Sequence, residues 1–354
     1  MKANRIEHYR RIHPWENFFL DSALYSVGQA LGIAYEEGFQ PVAAVTGDLF
    51  AYLYSREKYC DSGLTNSFFR PESVEEVYAM YGYACRYLSR EEIRADVAAA
   101  MALSRASVDR GIPVLAWGCG GVRTKSGETY DPLPEGSLIG GYEEDELLYV
   151  NLYPGEDRLA ETSAGGRPGV DQWGYTALYA KEALATTYGV FLVGYGMVPT
   201  PEREVCRRAV LSIPELLTRK PENGYTFGMQ AFVQWAETLR EDAHWAEPDA
   251  AQRNCWDKHC HAYCSLCTSI GVGDGKGVVG YLEKAAQLLP DMPEIAAILA
   301  LYRELRRLNQ AIWDYQGGFM PPSDQMAQRE YREAIAGILE RMGEVCARIA
   351  AVFY

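Results

Sequence analysis

Apolar residues recur at three- and four-residue intervals through Trp15, Phe18, Phe19, Ala23, Leu24, Val27, Ala30 and Leu31, the stripe of one buried helix face. His13–Pro14 precedes the stripe, with Pro at an allowed first-turn position, and Gly32 ends it. The pattern then shortens. Pro41–Thr46 (PVAAVT) has the length and composition of a strand, Gly47–Ser55 that of a helical turn, and the polar Cys60–Pro71 that of a loop. Helical spacing returns over Pro71–Tyr81, with Ser73 and Glu76 placed as a capping box. Ser89 and Glu92 repeat that signal at the head of an Ala- and Leu-rich helix, Glu91–Arg110.

Beyond Gly111 the period changes. Gly111–Gly118 (GIPVLAWG) and Ser137–Pro154 (SLIGGYEEDELLYVNLYP) read as buried strands joined by a long loop, with an acidic turn at Glu143–Glu146. Gly155–Asp171 carries the weakest pattern, and Gly189–Tyr195 returns to strand character. From about Pro201 the pattern is helical throughout, over 201–217, 225–241, 251–269, 277–289, 292–315 and 325–353. This predicts an α+β domain over residues 1–198 and an all-helical domain over 199–354.

The GxPV strand followed by the GY-acidic turn resembles the central hairpin of the papain-like cysteine peptidases and acyltransferases. It is most similar to the bacteriocin-leader peptidases and the butirosin biosynthesis protein H family. The resemblance implies a papain-like domain with a central antiparallel sheet and a long N-terminal helix. In those families a Cys opens the first long helix and a His precedes the GY hairpin. Here the corresponding stretches are Phe19–Ser22 and Pro134–Ser137, which hold neither. Three further segments, Thr46–Phe50, Cys60–Gly63 and Tyr225–Leu239, resemble a bacterial group within this superfamily whose first helix also lacks the Cys. Aminoacyl transfer, the activity of the butirosin protein, depends on that Cys and does not carry over.

Composition narrows the function classes. The chain has 354 residues, 48% of them hydrophobic and 23% charged, which is ordinary for a globular protein of two domains. A net charge of −14 argues against nucleic acid, whose phosphates need a positive footprint. The sequence has no apolar run of about 18 residues and no secretory h-region at its start, so neither a membrane partner nor export is expected. Nine cysteines, several within apolar helical patterns, fit thiols in a reducing cytoplasm. A homodimer is compatible with the sequence.

With no Cys on the first helix, Cys60 is the best-placed thiol for chemistry, and His13, His244, His259 and His261 are the bases that could serve it. Ser22 is a second candidate nucleophile, against the plain reading of a small residue packed in a helix. The run Cys255, His259, Cys260, His261, Cys264, Cys267 has zinc-ligand residue types, yet no second CxxC, and helical spacing makes it a packing seam; no metal or cofactor is expected. Gly271–Gly280 lacks a GKS or GKT ending and reads as a helix–helix connection.

With 25 Tyr and 7 Trp, aromatic surface is abundant. Trp117, Tyr142, Tyr225, Trp235 and Trp256, with His259 and the carboxylates Glu16 and Asp48, are the expected ligand-binding set, in a cleft where the two domains meet. The leading expectation is a protein that binds a small molecule or peptide without peptidase activity. The alternative is a cysteine-dependent acyl- or amide-transferase or hydrolase.

Overall fold

A computed structural model describes residues 3–6, 19–33, 40–56, 70–117, 122–123, 129–130, 136–144, 146–150, 161–162, 168–170, 176–180, 184, 187–245, 251, 253–271 and 277–354. The chain divides into two compact units, one of Met1–Val42 and Ser67–Glu202, the other of Ala43–Asn66 and Arg203–Tyr354. The C-terminal boundary falls near the composition change, but Ala43–Asn66 belongs with the helical unit, which no single cut at 198 provides.

The first unit contains β1 (Ala3–Arg5) and α1 (Phe19–Ala30). Next come α2 (Gln40–Thr46), within which the division falls, and β2 (Leu53–Tyr54), which belongs to the second unit. The first unit resumes with α3 (Glu72–Met80), β3 (Tyr83–Ser89), α4 (Arg90–Ala95), α5 (Val97–Asp109) and β4 (Val114–Trp117). After the two-residue strands β5 (Val122–Arg123) and β6 (Thr129–Tyr130) come β7 (Gly136–Glu143) and β8 (Glu146–Val150). The unit closes with β9 (Glu161–Thr162), β10 (Pro168–Val170), β11 (Thr176–Ala180) and β12 (Gly189–Gly196).

The main sheet is antiparallel, in the order β10-β11-β8-β7-β4-β12-β3, so the fold class is α+β. β7 pairs with β4 through Gly136–Ile139 and with β1 through Gly141–Glu143. Every residue of β4 is buried, which requires cover on both faces. α5 packs over one face, where Val114, Ala116, Ile139, Val190 and Leu192 meet Ala100 and Val108. The alternate residues Leu115, Trp117 and Phe191 are equally buried, and α1 lies against β4 and β7. At the free edge, the amide of Tyr87 on β3 donates to Glu75 Oε1 of α3 (3.2 Å), which occupies a donor that would otherwise pair with another chain.

Several expectations are corrected. Pro41–Thr46 is helical within α2 rather than a strand. A six-residue apolar run fits either state, and here Thr46 Oγ1 donates back to the Ala43 carbonyl (3.1 Å) while Gly47, at φ 84°, stops the helix. Ser73 does not cap α3; its hydroxyl donates to the Arg70 carbonyl (2.7 Å) and Pro71 takes the cap position. Ser89 and Glu92 do form a capping box, but the helix they begin breaks at Asp96, whose carboxylate caps α5 by accepting from the Ala99 amide (2.9 Å). Gly155–Asp171, the segment of weakest pattern, holds β9 and β10.

The second unit is built from α6 (Glu202–Thr218), β13 (Thr226–Phe227) and α7 (Met229–Arg240), followed by a short 3-10 turn, Asp242–His244. A π-helical turn, Cys255–Cys260, leads into α8 (His261–Gly271), followed by α9 (Val278–Leu288) and α10 (Glu294–Gln316). A single turn, α11 (Ser323–Met326), and the long α12 (Arg329–Ala351) complete the unit. The unit is not purely helical, because β13 pairs antiparallel with β2, bringing Thr226 opposite Tyr54 and Phe227 opposite Leu53. α7 is the central helix: Ala231, Phe232, Trp235, Ala236 and Leu239 form its buried stripe, packed chiefly against α12.

Candidate functional site

The feature of the second unit that packing alone does not account for is His259. It lies on the π-helical turn just before α8 and is fully buried. Single π turns interrupt the regular hydrogen-bond ladder and are frequent at functional positions. His259 Nε2 lies 2.8 Å from Oε1 of Gln316, the last residue of α10. Gln316 is 2% exposed, and its Nε2 donates to the Gly318 carbonyl (2.6 Å). That second bond fixes the amide: its nitrogen faces Gly318, so its oxygen faces the imidazole. Nε2 of His259 must therefore carry the hydrogen, which leaves Nδ1 as a bare acceptor.

Nδ1 meets no hydrogen-bond partner among the described residues. Neither does Nε1 of Trp235, a fully buried donor whose ring centroid is 5.3 Å from that of His259. A donor and an acceptor on neighbouring rings are thus each without a partner among the described residues, and orphaned buried polar groups are costly. Two more buried groups of this unit, the hydroxyls of Tyr52 and Tyr302, interact with each other. The Tyr52 ring packs 5.2 Å from Phe232, one turn of α7 before Trp235, and burial pushes both phenols well above their ordinary range.

A short strap, residues 317–320, packs against the π turn. Gly317 and Gly318 follow Gln316 with φ of 76° and 125°, and the Gly318 amide closes α10 by donating to Trp313 (2.9 Å). Cys260 Sγ lies 3.6 Å from the Phe319 carbonyl and 3.2 Å from Met320 Sδ, which ties the strap to the π turn. Tyr263 of α8 lies 6.1 Å from both Phe319 and Trp313. Trp313 and Met320 are 40% and 45% exposed, so this cluster reaches the surface of the unit.

Burial drives the His259 pKa down to about 4, against a smaller upward pull from Gln316. The imidazole is neutral at neutral pH. In the unfolded chain it protonates around its ordinary 6.5, so between the two values the unfolded state binds more protons and stability falls as pH drops. The expected loss between pH 7 and pH 5 is about 2 kcal/mol. Chemical denaturation of the wild type and of His259→Gln at both pH values checks it: the variant should lack that share of the loss.

The other described site residues each have partners within their own unit. Trp117 packs edge-on to Tyr87 (5.7 Å) and Phe191 (5.2 Å) inside the first unit. The Tyr142 hydroxyl donates to Asp109 Oδ1 (2.7 Å), a carboxylate that raises the phenol's pKa, and Arg105 stacks on its ring. Tyr142 thus serves the joint between β7 and α5. The acidic turn is held as well, since Arg105 donates to the Glu144 carbonyl. Asp48 is buried in the turn after α2, where its amide donates to Thr46 Oγ1 (3.4 Å). Tyr225 is buried just before β13 and exchanges backbone hydrogen bonds with Glu222.

Cys60, His13 and Glu16 lie outside the described residues, as do the side chains of Ser22 on α1 and Trp256 on the π turn. Among the described residues, no group of three or more His, Cys, Asp or Glu stands where it could hold a metal ion. None of their helices is long and apolar enough to cross a membrane. Of the expected set, His259 and Trp235 come together; Gln316 was not anticipated. It lies on a seven-residue line through Ile295, Tyr302 and Asn309, where a Gln in an otherwise buried row is the sequence signal. Comparison with family models and with curated proteins finds no match for this chain.

Proposed function

We propose that this protein binds a small molecule or peptide and does no peptidase chemistry, holding its ligand by polar groups buried in the second unit. The observation that carries the reading is that two buried groups of opposite hydrogen-bonding sense, Trp235 Nε1–H and His259 Nδ1, on rings 5.3 Å apart, each lack a hydrogen-bond partner among the described residues. Burying either costs free energy unless something pairs with it, and a ligand does so. The buried thiols of Cys85, Cys255 and Cys346 are not themselves activated, since burial raises all three, Cys255 to about 11. A nucleophilic thiol is shifted the other way. The resemblance of residues 111–154 to a papain-like hairpin fits a scaffold retained without its nucleophile, and thiols kept protonated in the interior fit a cytoplasmic setting.

The purified protein is expected to turn over no member of a panel of peptides and aminoacyl thioesters. Native mass spectrometry against neutral small molecules and short peptides is expected to give a saturable adduct. Hydrolysis or acyl transfer that disappears on Cys60→Ala would overturn the reading in favour of a cysteine-dependent transferase or hydrolase.

A further inference from the structure

We propose that Met320 is a site of oxidative modification, and that a peroxide, by converting its thioether to a sulfoxide, releases the strap 317–320 from the π turn. The switch needs no ligand and stands apart from the binding function proposed above. Oxidants convert methionine sulfur where solvent reaches it. Among the described methionines, Met197 and Met320 are exposed, at 50% and 45%, whereas Met80, Met292, Met326 and Met342 are buried. Met320 joins that exposure to a place in the packing: Sδ accepts from Sγ of the fully buried Cys260 at 3.2 Å, in a contact that is itself only partly buried. One thioether therefore meets solvent and also holds the strap to the π turn.

The step balances with peroxide as its one co-reactant. A lone pair of Sδ attacks a peroxide oxygen, the S–O bond forms as the O–O bond breaks, and the proton of the transferred oxygen passes to the departing hydroxide, which leaves as water. Sulfur loses two electrons and the peroxide gains them. The product is polar where the thioether was apolar. An oxygen placed between sulfurs 3.2 Å apart pushes them apart, and one added on the other side leaves an electron-poor sulfur that no longer accepts from the thiol. In either case the sulfur–sulfur tie is lost. The neighbouring contact of Cys260 Sγ with the Phe319 carbonyl is longer, 3.6 Å, and a thiol is a weak donor. Gly317 and Gly318, at φ 76° and 125°, have nothing within 4 Å of a would-be Cβ, so the strap has a flexible root with open space beside it. Lifting the strap uncovers the Cys260 thiol.

The test treats the full chain with hydrogen peroxide and then follows each thiol by iodoacetamide alkylation and peptide mass spectrometry. Conversion of Met320 to the sulfoxide is expected to raise the alkylation rate of Cys260 by at least roughly ten-fold, while Cys267 and Cys346, fully buried in α8 and α12, stay slow. Met320→Leu keeps an apolar side chain without the sulfur and is expected to make Cys260 alkylation independent of peroxide, whatever its starting rate. Met197→Leu, which removes the other exposed thioether, is expected to respond as the wild type does. Met320 left intact while Met197 is converted, Cys260 no faster once Met320 is converted, Cys260 oxidised before Met320, or an undiminished response in Met320→Leu would each overturn the proposal. So would faster alkylation of Cys267 and Cys346 along with Cys260, since peroxide would then be unfolding the unit and not moving the strap.

Discussion

Arg332→Ala is expected to cost about 3–5 kcal/mol of stability, a large fraction of what a domain has to lose. The side chain is 1% exposed, and its guanidinium directs every hydrogen-bonded arm to a different place. Nε donates to the Leu239 carbonyl (2.7 Å) near the end of α7. Nη1 donates to the carbonyls of Met326 (2.9 Å) and Ala327 (3.0 Å), and Nη2 pairs with Asp242. The group also lies over the buried ring of Trp245, 6.0 Å from its centroid. Truncation would remove the side-chain donor from three carbonyls, whereas Asp242, with about half its side chain exposed, can turn to water or to Arg329 (3.2 Å). The loss therefore comes from the carbonyls and the packing more than from the ion pair.

Two companion variants separate these contributions. Arg332→Met keeps most of the volume and no donor, so it should remain at least about 2 kcal/mol below the wild type. Arg332→Lys places one compact ammonium where a planar fork spans several acceptors, and should recover less than half of the loss. Denaturant unfolding of the three variants measures this directly. An Arg332→Met protein as stable as the wild type would show that the carbonyls find water without penalty.

Long, strongly periodic stretches were legible in the sequence. The stripe ending at Gly32 and the helices after residue 201 each contain enough repeats of one period to fix their type, while the GxPV strand and its hairpin partner were marked by their bounding glycines and the acidic turn between strands. Short stretches were not. Gln40–Thr46 is a helix of seven residues, a length at which an apolar run carries no periodicity to read. β3 does alternate, with Tyr83, Cys85 and Tyr87 more buried than Ala84 and Arg86, but no residue before Leu88 is fully buried and the alternation is shallow. The site divides in the same way. Trp235 and His259 stood out by residue type, yet they are brought together by tertiary packing across separate helices. Gln316 is linked to His259 across 57 residues of chain by a hydrogen bond that no spacing rule encodes. Sequence spacing reports faces of single elements; it does not report which faces meet.

Gly228→Ala is the second substitution with a large expected effect, about 4 kcal/mol or more, because two independent costs fall on one Cβ. The residue caps α7 at φ 55° and ψ −128°, a conformation open essentially to glycine alone and worth about 1–3 kcal/mol of strain to any other residue. A Cβ built there would also lie 2.0 Å from the Leu217 carbonyl oxygen and 2.5 Å from its Cα, so the obstacle is the backbone of α6 and no rotamer change relieves it. Gly317 supplies the control. Its φ of 76° is also left-handed, but nothing lies within 4 Å of its would-be Cβ, so Gly317→Ala should cost only about 1 kcal/mol. If the two variants unfold at the same denaturant concentration, the close approach to α6 does not constrain the chain. Gly228 also donates to the Tyr52 carbonyl (2.8 Å) and begins the helix that carries Phe232 and Trp235. A backbone shift there moves the indole N–H relative to His259. Gly228→Ala should therefore perturb the Trp235 and His259 NMR signals together, even under conditions where the protein remains folded, whereas Gly317→Ala, at the root of the strap, should leave the indole N–H in place.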